Sequence, residues 1–277
     1  MTKSKKDSSQ LSVATWNINS VRLRSPLVQK YLKKTSPDIL CLQEIKCRDD
    51  QFPAKDFAKL GYEHQAVYGF KGYHGVAILS KIPFRSTERF DIAKQAEGRC
   101  IIAHLEGKKY EDVAIASVYL PAGGDIPDPK LNPKFQNKLD FLDDLAGWGH
   151  KLNKRFARSI VVGDLNVAPL EHDVWSHKQM LKIVSHTPIE VEKFETARKA
   201  GKFHDVMRAF VAADQKLYTW WSYRAADWLT SDRGRRLDHI WAGPDLHEAW
   251  AGMDILKDAR GWERPSDHVP VRAVFNL

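Results

Sequence analysis

The stretch Ile160-Val161-Val162-Gly163-Asp164-Leu165-Asn166 runs from residues that favour a buried strand into a carboxylate and an amide two positions apart. If the strand continued through both, their side chains would leave one face, and Pro169 argues against an unbroken helix there. An acid beside an amide at a strand's end suits chemistry on an anion. A plain turn built from Gly, Asp and Asn is the bland alternative, and this stretch alone does not separate the two.

The pattern recurs along the chain. Asn17 follows the strand-like Leu11 to Trp16, Glu44 follows Ile39 to Leu42, and Tyr119 ends Val113 to Tyr119. Asp238 lies near the start of Leu237 to Ala242, and Asp267-His268 precede Pro270 to Phe275. Hard carboxylate and amide oxygens with no cysteine partner suit Mg²⁺ or Mn²⁺, which bind through one or two carboxylates plus water and a substrate phosphate. Glu44 and Asp267 are the first choices as ligands. A histidine next to an acid, with a spare aspartate elsewhere, permits a His-Asp pair that keeps the imidazole oriented and charged near a phosphate. Asp164 is then left to activate water, while Tyr119, Asn17 and Asn166 donate to or orient the phosphoryl oxygens.

These residues need elements to hold them. Ser25-Pro26 reads as a helix start, with Leu27, Val28, Tyr31 and Leu32 at helical spacing before Ser36-Pro37. The middle of the chain reads as β-rich, with strands over Tyr62 to Tyr68, Val76 to Leu79, Arg85 to Phe90 and Cys100 to Leu105. Asn132-Pro133 opens the longest helix, whose Phe135, Leu139, Leu142 and Leu145 face a sheet while Lys134, Lys138, Asp140 and Asp143 fill the other side. Thr187-Pro188 caps a helix through Lys199, and Phe203 to Phe210 reads as a short one.

Two segments have the composition of nucleic-acid contacts. Gly69 to Gly75 mixes glycines and aromatics with Lys71 and His74, although a hairpin loop is the plainer reading. Tyr218 to Arg224 packs four aromatics with an arginine, and Arg233, Arg235 and Arg236 follow; a core strand and a solvated loop would look the same. His172, His177 and His186 fit no zinc spacing and read as surface histidines. Lys plus Arg at 43 against Asp plus Glu at 35 points to polyanionic partners. The 43% hydrophobic content and nine Trp support one large core. Cys41, Cys47 and Cys100 suggest neither a disulfide framework nor zinc, and no apolar run has spanning length. The expectation is a cytoplasmic protein, nucleoid-associated in a bacterium, with residues 1–10 a flexible basic tail and 11–277 one domain.

Taken together these residues resemble the exonuclease III family of abasic-site endonucleases, within the endonuclease/exonuclease/phosphatase superfamily. The resemblance rests on Trp16-Asn17-Ile18-Asn19-Ser20-Val21-Arg22, Leu42-Gln43-Glu44-Ile45-Lys46 and His74-Gly75-Val76-Ala77. It continues through Glu97-Gly98-Arg99, Tyr119-Leu120-Pro121, Gly163 to Pro169, Arg236-Leu237-Asp238 and Ser266-Asp267-His268-Val269. Each motif is weak, but eight in the family's order make a specific match from about Leu11 to the C-terminus.

The resemblance implies an α/β fold of the DNase I-like kind, a four-layer α/β/β/α sandwich of two packed mixed sheets flanked by helices. It implies a DNA repair nuclease that cuts the phosphodiester 5′ to abasic sites, with 3′-5′ exonuclease and 3′-end-cleaning activity. Mg²⁺ would serve, Mn²⁺ substituting, on a monomer whose partner is duplex DNA with abasic sites or blocked 3′ ends and which meets no membrane. By likeness Glu44 binds the metal with Asn17 and Asp267 near it, and Lys46 pairs with Glu44. Asp164 prepares the water, Asn166 and Tyr119 hold the phosphate, and Asp238 orients His268. Trp220 and Leu237 line the pocket for an extrahelical sugar. Lys71, Tyr73, His74, Arg233, Arg235 and Arg236 grip the duplex.

Two positions depart from the family: Ala122 stands where many members carry an amide, and Arg235 where some place a pocket aromatic. Leu170 to Phe203 matches least. A phosphomonoesterase of the same superfamily would share the acid set, but the Trp220-Trp221 segment and basic loop argue against it. An inactive DNA-binding relative is opposed by the complete set of acids and histidine.

Overall fold

In a computed structural model the chain is described over residues 10–94, 96–225 and 227–277. The expected tail lies outside the described residues except for Gln10, which opens the first strand. In chain order the first half carries β1 (Gln10–Asn17), α1 (Val21–Thr35), β2 (Ile39–Gln43), α2 (Ala54–Ala58), β3 (His64–Tyr68), β4 (Val76–Ser80), β5 (Phe84–Arg89), β6 (Cys100–Leu105) and β7 (Val113–Tyr119). The long helix α3 (Pro133–Arg155) leads to β8 (Arg158–Asp164), α4 (His177–Met180), α5 (Pro188–Ala200), β9 (His204–Asp205) and α6 (Val206–Phe210). The chain closes with β10 (Trp220–Trp221), α7 (Trp228–Ser231), β11 (Gly234–Arg235), β12 (Asp238–Ala242), β13 (Trp250–Ile255) and β14 (Val271–Asn276).

Two six-stranded mixed sheets form, in the orders β13-β14-β1-β2-β4-β3 and β5-β6-β7-β8-β12-β9. The sequence shows why they stack. Along β1, Leu11 and Val13 enter the core shared with Ile101, Ile115, Ile160 and Val162 of the other sheet. The alternate residues Ala14 and Trp16 meet Val28, Tyr31 and Leu32 of α1 on the outer face. On the other sheet, Ala116, Val118 and Val161 meet Phe141, Leu142 and Leu145 of α3 and Phe194 of α5. Strands covered on both faces read as continuous apolar runs, and the result is the α/β/β/α sandwich.

The topology brings the polar strand ends to one rim. β1 and β2 run parallel with Asn17 opposite Gln43, and β7 and β8 run parallel with Tyr119 opposite Asp164. β12 runs antiparallel to β8, so its first residue, Asp238, faces Asp164. β14 runs antiparallel to β1, which places the residues before it, including His268, at the same end. A buried polar link ties the sheets just below: Gln43 accepts from Thr15 at 3.2 Å and donates to Ser117 at 3.0 Å. Gly163 is required at its position, since a Cβ there would lie 1.8 Å from the Val118 carbonyl oxygen.

The structure corrects several boundaries. Helix α1 begins at Val21, and the Ser25-Pro26 start survives only as the segment after a break at Arg24, where φ is −113°. β13 was not foreseen; with Gly252 and Asp254 in it and an edge position, it lacks the apolar signature of the inner strands. β8 ends at Asp164, and Asn166 adopts φ 51°, so the acid and amide do not share a strand face. Lys138 is fully buried, not on the solvent side of α3. His186 is also buried and accepts or donates at 2.8 Å to His177, against the expectation of surface histidines.

Candidate active site

The rim carries a connected set of hydrogen bonds. His268 Nδ1 meets Asp238 Oδ2 at 2.8 Å, and its Nε2 lies 3.7 Å from Asp164 Oδ2. Asn17 donates through Nδ2 to Asp164 Oδ2 and to Glu44 Oε1, both at 2.8 Å. Glu44 Oε2 pairs with Lys46 Nζ at 2.8 Å, and that ammonium donates to Asn19 Oδ1 at 2.6 Å. Asn19 in turn donates to Asp267 Oδ1 at 3.2 Å, whose other oxygen accepts from Trp220 Nε1 at 2.9 Å.

The loops that present these groups are held in left-handed backbone geometry at Asn19, Glu44, Lys46 and Asn166, conformations that side chains other than glycine adopt only when surroundings enforce them. At Asn166 the enforcement is visible. Its N–H donates to Asp164 Oδ1 at 3.1 Å, its amide Nδ2 to the Leu120 carbonyl at 2.9 Å, and its own carbonyl accepts from Lys138 Nζ at 2.7 Å. Lys138 is anchored by Glu190 at 2.5 Å, and Glu190 also accepts from the Ser185 and Thr187 N–H groups. This support was not foreseen, because a lysine among polar helix positions reads as solvent-facing.

Electrostatics divide the labour. For His268, burial disfavours the charge, but the Asp238 and Asp164 carboxylates outweigh it and hold the imidazole protonated well above its usual range. Burial pushes the Asp164 carboxyl up, against the pull of His268 and with the help of Asp238. Glu44, despite burial, is kept below the usual carboxylate range by Lys46 and Asn17. Burial, Glu44 and Asp164 together push the Tyr119 phenol up, so it stays a proton donor. Asp267 is held down by His268 and Trp220 against its burial.

Asp164, Asp238 and His268 each offer a ligand atom within 4.8 Å of the others. A protonated imidazole is itself the cation of that trio, so its donor chemistry does not suit a metal. Ionised Glu44 and Asp267, both lining a cavity of about 650 Å³ with Asp164, Asn166 and His268, are the hard oxygen donors left for one.

The expected DNA contacts divide. Trp220, Leu237, Arg233 and Arg235 line the same cavity, with Arg233 over the Trp175 ring. Lys71 and Tyr73 are exposed on the loop between β3 and β4, whose ends are tied by Gly69 N–H to Asp49 at 2.7 Å and Lys46 N–H to the His74 carbonyl at 2.9 Å. His74 stacks near Tyr119, 5.9 Å between rings, and sits 3.3 Å from Arg99. Arg236 does not belong with them. It is fully buried and paired with Asp173 at 2.8 Å and Asp205 at 2.7 Å, so it braces the scaffold and cannot reach a duplex.

Residues 14–268 match the model of the Endonuclease/Exonuclease/phosphatase family. Exodeoxyribonuclease III of Haemophilus influenzae is 30% identical over 269 residues, covering 94% of this chain and 98% of that protein. Among solved structures, an AP endonuclease from Archaeoglobus fulgidus superposes with a TM-score of 0.87 at 32% identity. A 3′ phosphatase from Neisseria bound to product DNA hairpin does so with 0.87 at 31%; each comparison covers 96% of this chain and 100% of the other. The chain belongs to the endonuclease/exonuclease/phosphatase family and, within it, to the exonuclease III group of abasic-site nucleases. It is a DNA-repair hydrolase, and its acidic rim can hold the divalent metal on which the family depends.

Proposed function

We propose that the protein hydrolyses phosphodiesters of duplex DNA on the 5′ side of abasic sites, and removes nucleotides and blocking groups from 3′ ends. The observation that carries this reading is the Asp238–His268–Asp164 alignment, joined through Asn17 to Glu44 at one rim of the two sheets. Asp164, with its carboxyl raised toward neutral pH, takes the proton of the attacking water. His268, charged and aimed by Asp238, stabilises the negative charge that grows on the phosphoryl oxygens. The Tyr119 phenol and the Asn166 amide hold the same oxygens. Mg²⁺, or Mn²⁺ in its place, would sit at Glu44 with Asn17 and Asp267 near it and act as a Lewis acid on the phosphate. Lys46 keeps Glu44 ionised and oriented.

The basic balance and the cavity lined by Trp220 and Leu237 suit a duplex whose damaged nucleotide leaves the stack. Incubation with Mg²⁺ and a duplex carrying one abasic analogue, beside an inositol polyphosphate, tests the reading. The expected result is a single nick 5′ to the analogue, abolished by chelator. Hydrolysis of the inositol polyphosphate with an intact duplex would replace the nuclease reading by a phosphomonoesterase of the same superfamily.

A further inference from the structure

Among the described residues Arg235 is a cation without an acid. It lines the cavity beside Asp164, Asn166 and His268. Its Nη1 donates to the Val184 carbonyl at 3.2 Å and to Ser185 Oγ at 3.0 Å, its guanidinium lies 5.0 Å over the Trp220 ring, and its buried Nε has no hydrogen-bond partner among the described residues. Glu190 is the carboxylate whose field reaches it, but that group is already taken by Lys138 and two backbone N–H groups. Among the described residues no carboxylate forms an ion pair with Arg235, whereas Arg236 beside it has both Asp173 and Asp205. Burial pushes the guanidinium down to about 10, which still leaves it charged at neutral pH.

A guanidinium withdrawn from water, seated on a ring and given no counter-charge is built to take an anion. Its guanidinium covers one face of the Trp220 ring, so that face presents charge to the cavity in place of bare apolar surface. Ala122, lining the same cavity, supplies no amide to a sugar or phosphate.

We propose that Arg235 is a specificity-determining residue that turns this cavity from a neutral abasic sugar toward the phosphomonoester of a blocked DNA 3′ end. The inference rests on the nuclease reading above and deepens it. A phosphomonoester carries a second negative charge that an internal diester lacks, and Arg235 provides the counter-charge. In the reaction water adds to phosphorus and gives its proton to Asp164. The bond from phosphorus to the 3′ oxygen breaks, and that oxygen takes up a proton from solvent, leaving a 3′-hydroxyl and inorganic phosphate while Asp164 returns its proton to solvent.

The test compares kcat/KM on two substrates, a nicked duplex ending in a 3′-phosphate and an intact duplex with one abasic analogue. Wild-type protein is set beside Arg235→Gln, Arg235→Trp and Arg235→Lys. Loss of a charged hydrogen bond predicts that the ratio of 3′-phosphate removal to abasic incision falls roughly tenfold to a hundredfold in Arg235→Gln. Arg235→Trp, which restores an apolar face, should fall at least as far, and Arg235→Lys should fall least because it keeps the charge. If Arg235→Trp does not fold, the glutamine and lysine variants decide, since both keep a flexible polar side chain at the cavity wall. A ratio within twofold of wild type in Arg235→Gln overturns the proposal while leaving the nuclease reading intact. Wild-type protein that acts on neither duplex removes both.

Discussion

Strand β12 divides two buried clusters made from the same kinds of residue. Asp238 at its start joins His268, Asp164, Asn17 and Glu44, while its neighbours Arg236 and His239 join Asp173, Asp205 and Arg208. Both clusters combine acids with cationic or potentially cationic groups, and both have a buried centre, Asp164, Asp238 and His268 in one and Asp173, Arg236 and His239 in the other. They differ in closure. Asp173 accepts from Arg208 at 2.5 Å and from Arg236 at 2.8 Å, and Asp205 accepts from Arg236 at 2.7 Å, so acid meets base inside the cluster. At the rim, Glu44, Asp164, Asp267 and His268 all line a cavity, the imidazole is held charged by its acids, and Arg235 on the same wall forms no ion pair among the described residues. Residue type alone therefore does not mark a site. An incompletely neutralised cluster that opens on a cavity does.

The comparison breaks most sharply at Asp164. Asp164→Asn keeps the size and shape of the side chain, with one oxygen left to accept from Asn17 or the Asn166 N–H, but cannot take a proton from water. Turnover on an abasic duplex should fall about 10²- to 10⁴-fold, with duplex affinity and melting temperature near wild type. Parallel loss of binding and turnover would make Asp164 a structural or metal residue instead. In the closed cluster the largest effect should be on stability. Arg236→Met leaves the Asp205 carboxylate only the Arg208 N–H among the described residues and half-strips Asp173, and breaking such a buried pair costs about 3–5 kcal/mol. Urea unfolding should show that loss, while the folded fraction cuts DNA normally. A stable variant with weakened DNA affinity would return Arg236 to the duplex interface.

The same contrast explains what the sequence could and could not reveal. Asn17, Glu44, Tyr119, Asp164 and Asp238 stand out because each interrupts or ends an apolar strand run, and a parallel or antiparallel neighbour then fixes which rim it reaches. Asp267 and His268 stand out by preceding the last strand. What was hidden depends on partners far along the chain. Lys138 and Arg236 look solvated until Glu190 and Asp173 arrive from the segment with the least family likeness. Arg233, Arg235 and Arg236 read as one basic loop, yet adjacent residues part ways: Arg235 lines the cavity with Arg233, and Arg236 is fully buried against Asp173 and Asp205. The left-handed turn at Asn166 was equally invisible, because the amide is placed by Leu120 and Lys138 rather than by strand periodicity.

His239 sharpens the contrast with His268 at the smallest scale, since two buried histidines are driven in opposite directions. In His239, burial first and then the Arg236 guanidinium push the imidazole down to about 3, although Asp205 and Asp173 oppose this. Its Nε2 donates to the Val167 carbonyl at 2.8 Å and its Nδ1 has no partner among the described residues, which fits a neutral ring. A histidine with a depressed pKa in the folded state takes up its proton more readily once unfolded. Its contribution to stability is therefore complete above the unfolded value near 6.5 and is lost as pH falls from there toward 3. The slope should reach about 1.4 kcal/mol per pH unit. Urea midpoints of wild type and His239→Gln, measured at pH 7, 6, 5 and 4, isolate this from other titrating groups. The difference in stability between the two should shrink by about that amount per unit below pH 6. A constant difference across the range would mean that His239 is protonated in the fold, and the cluster around Arg236 would then be as open to charge as the rim.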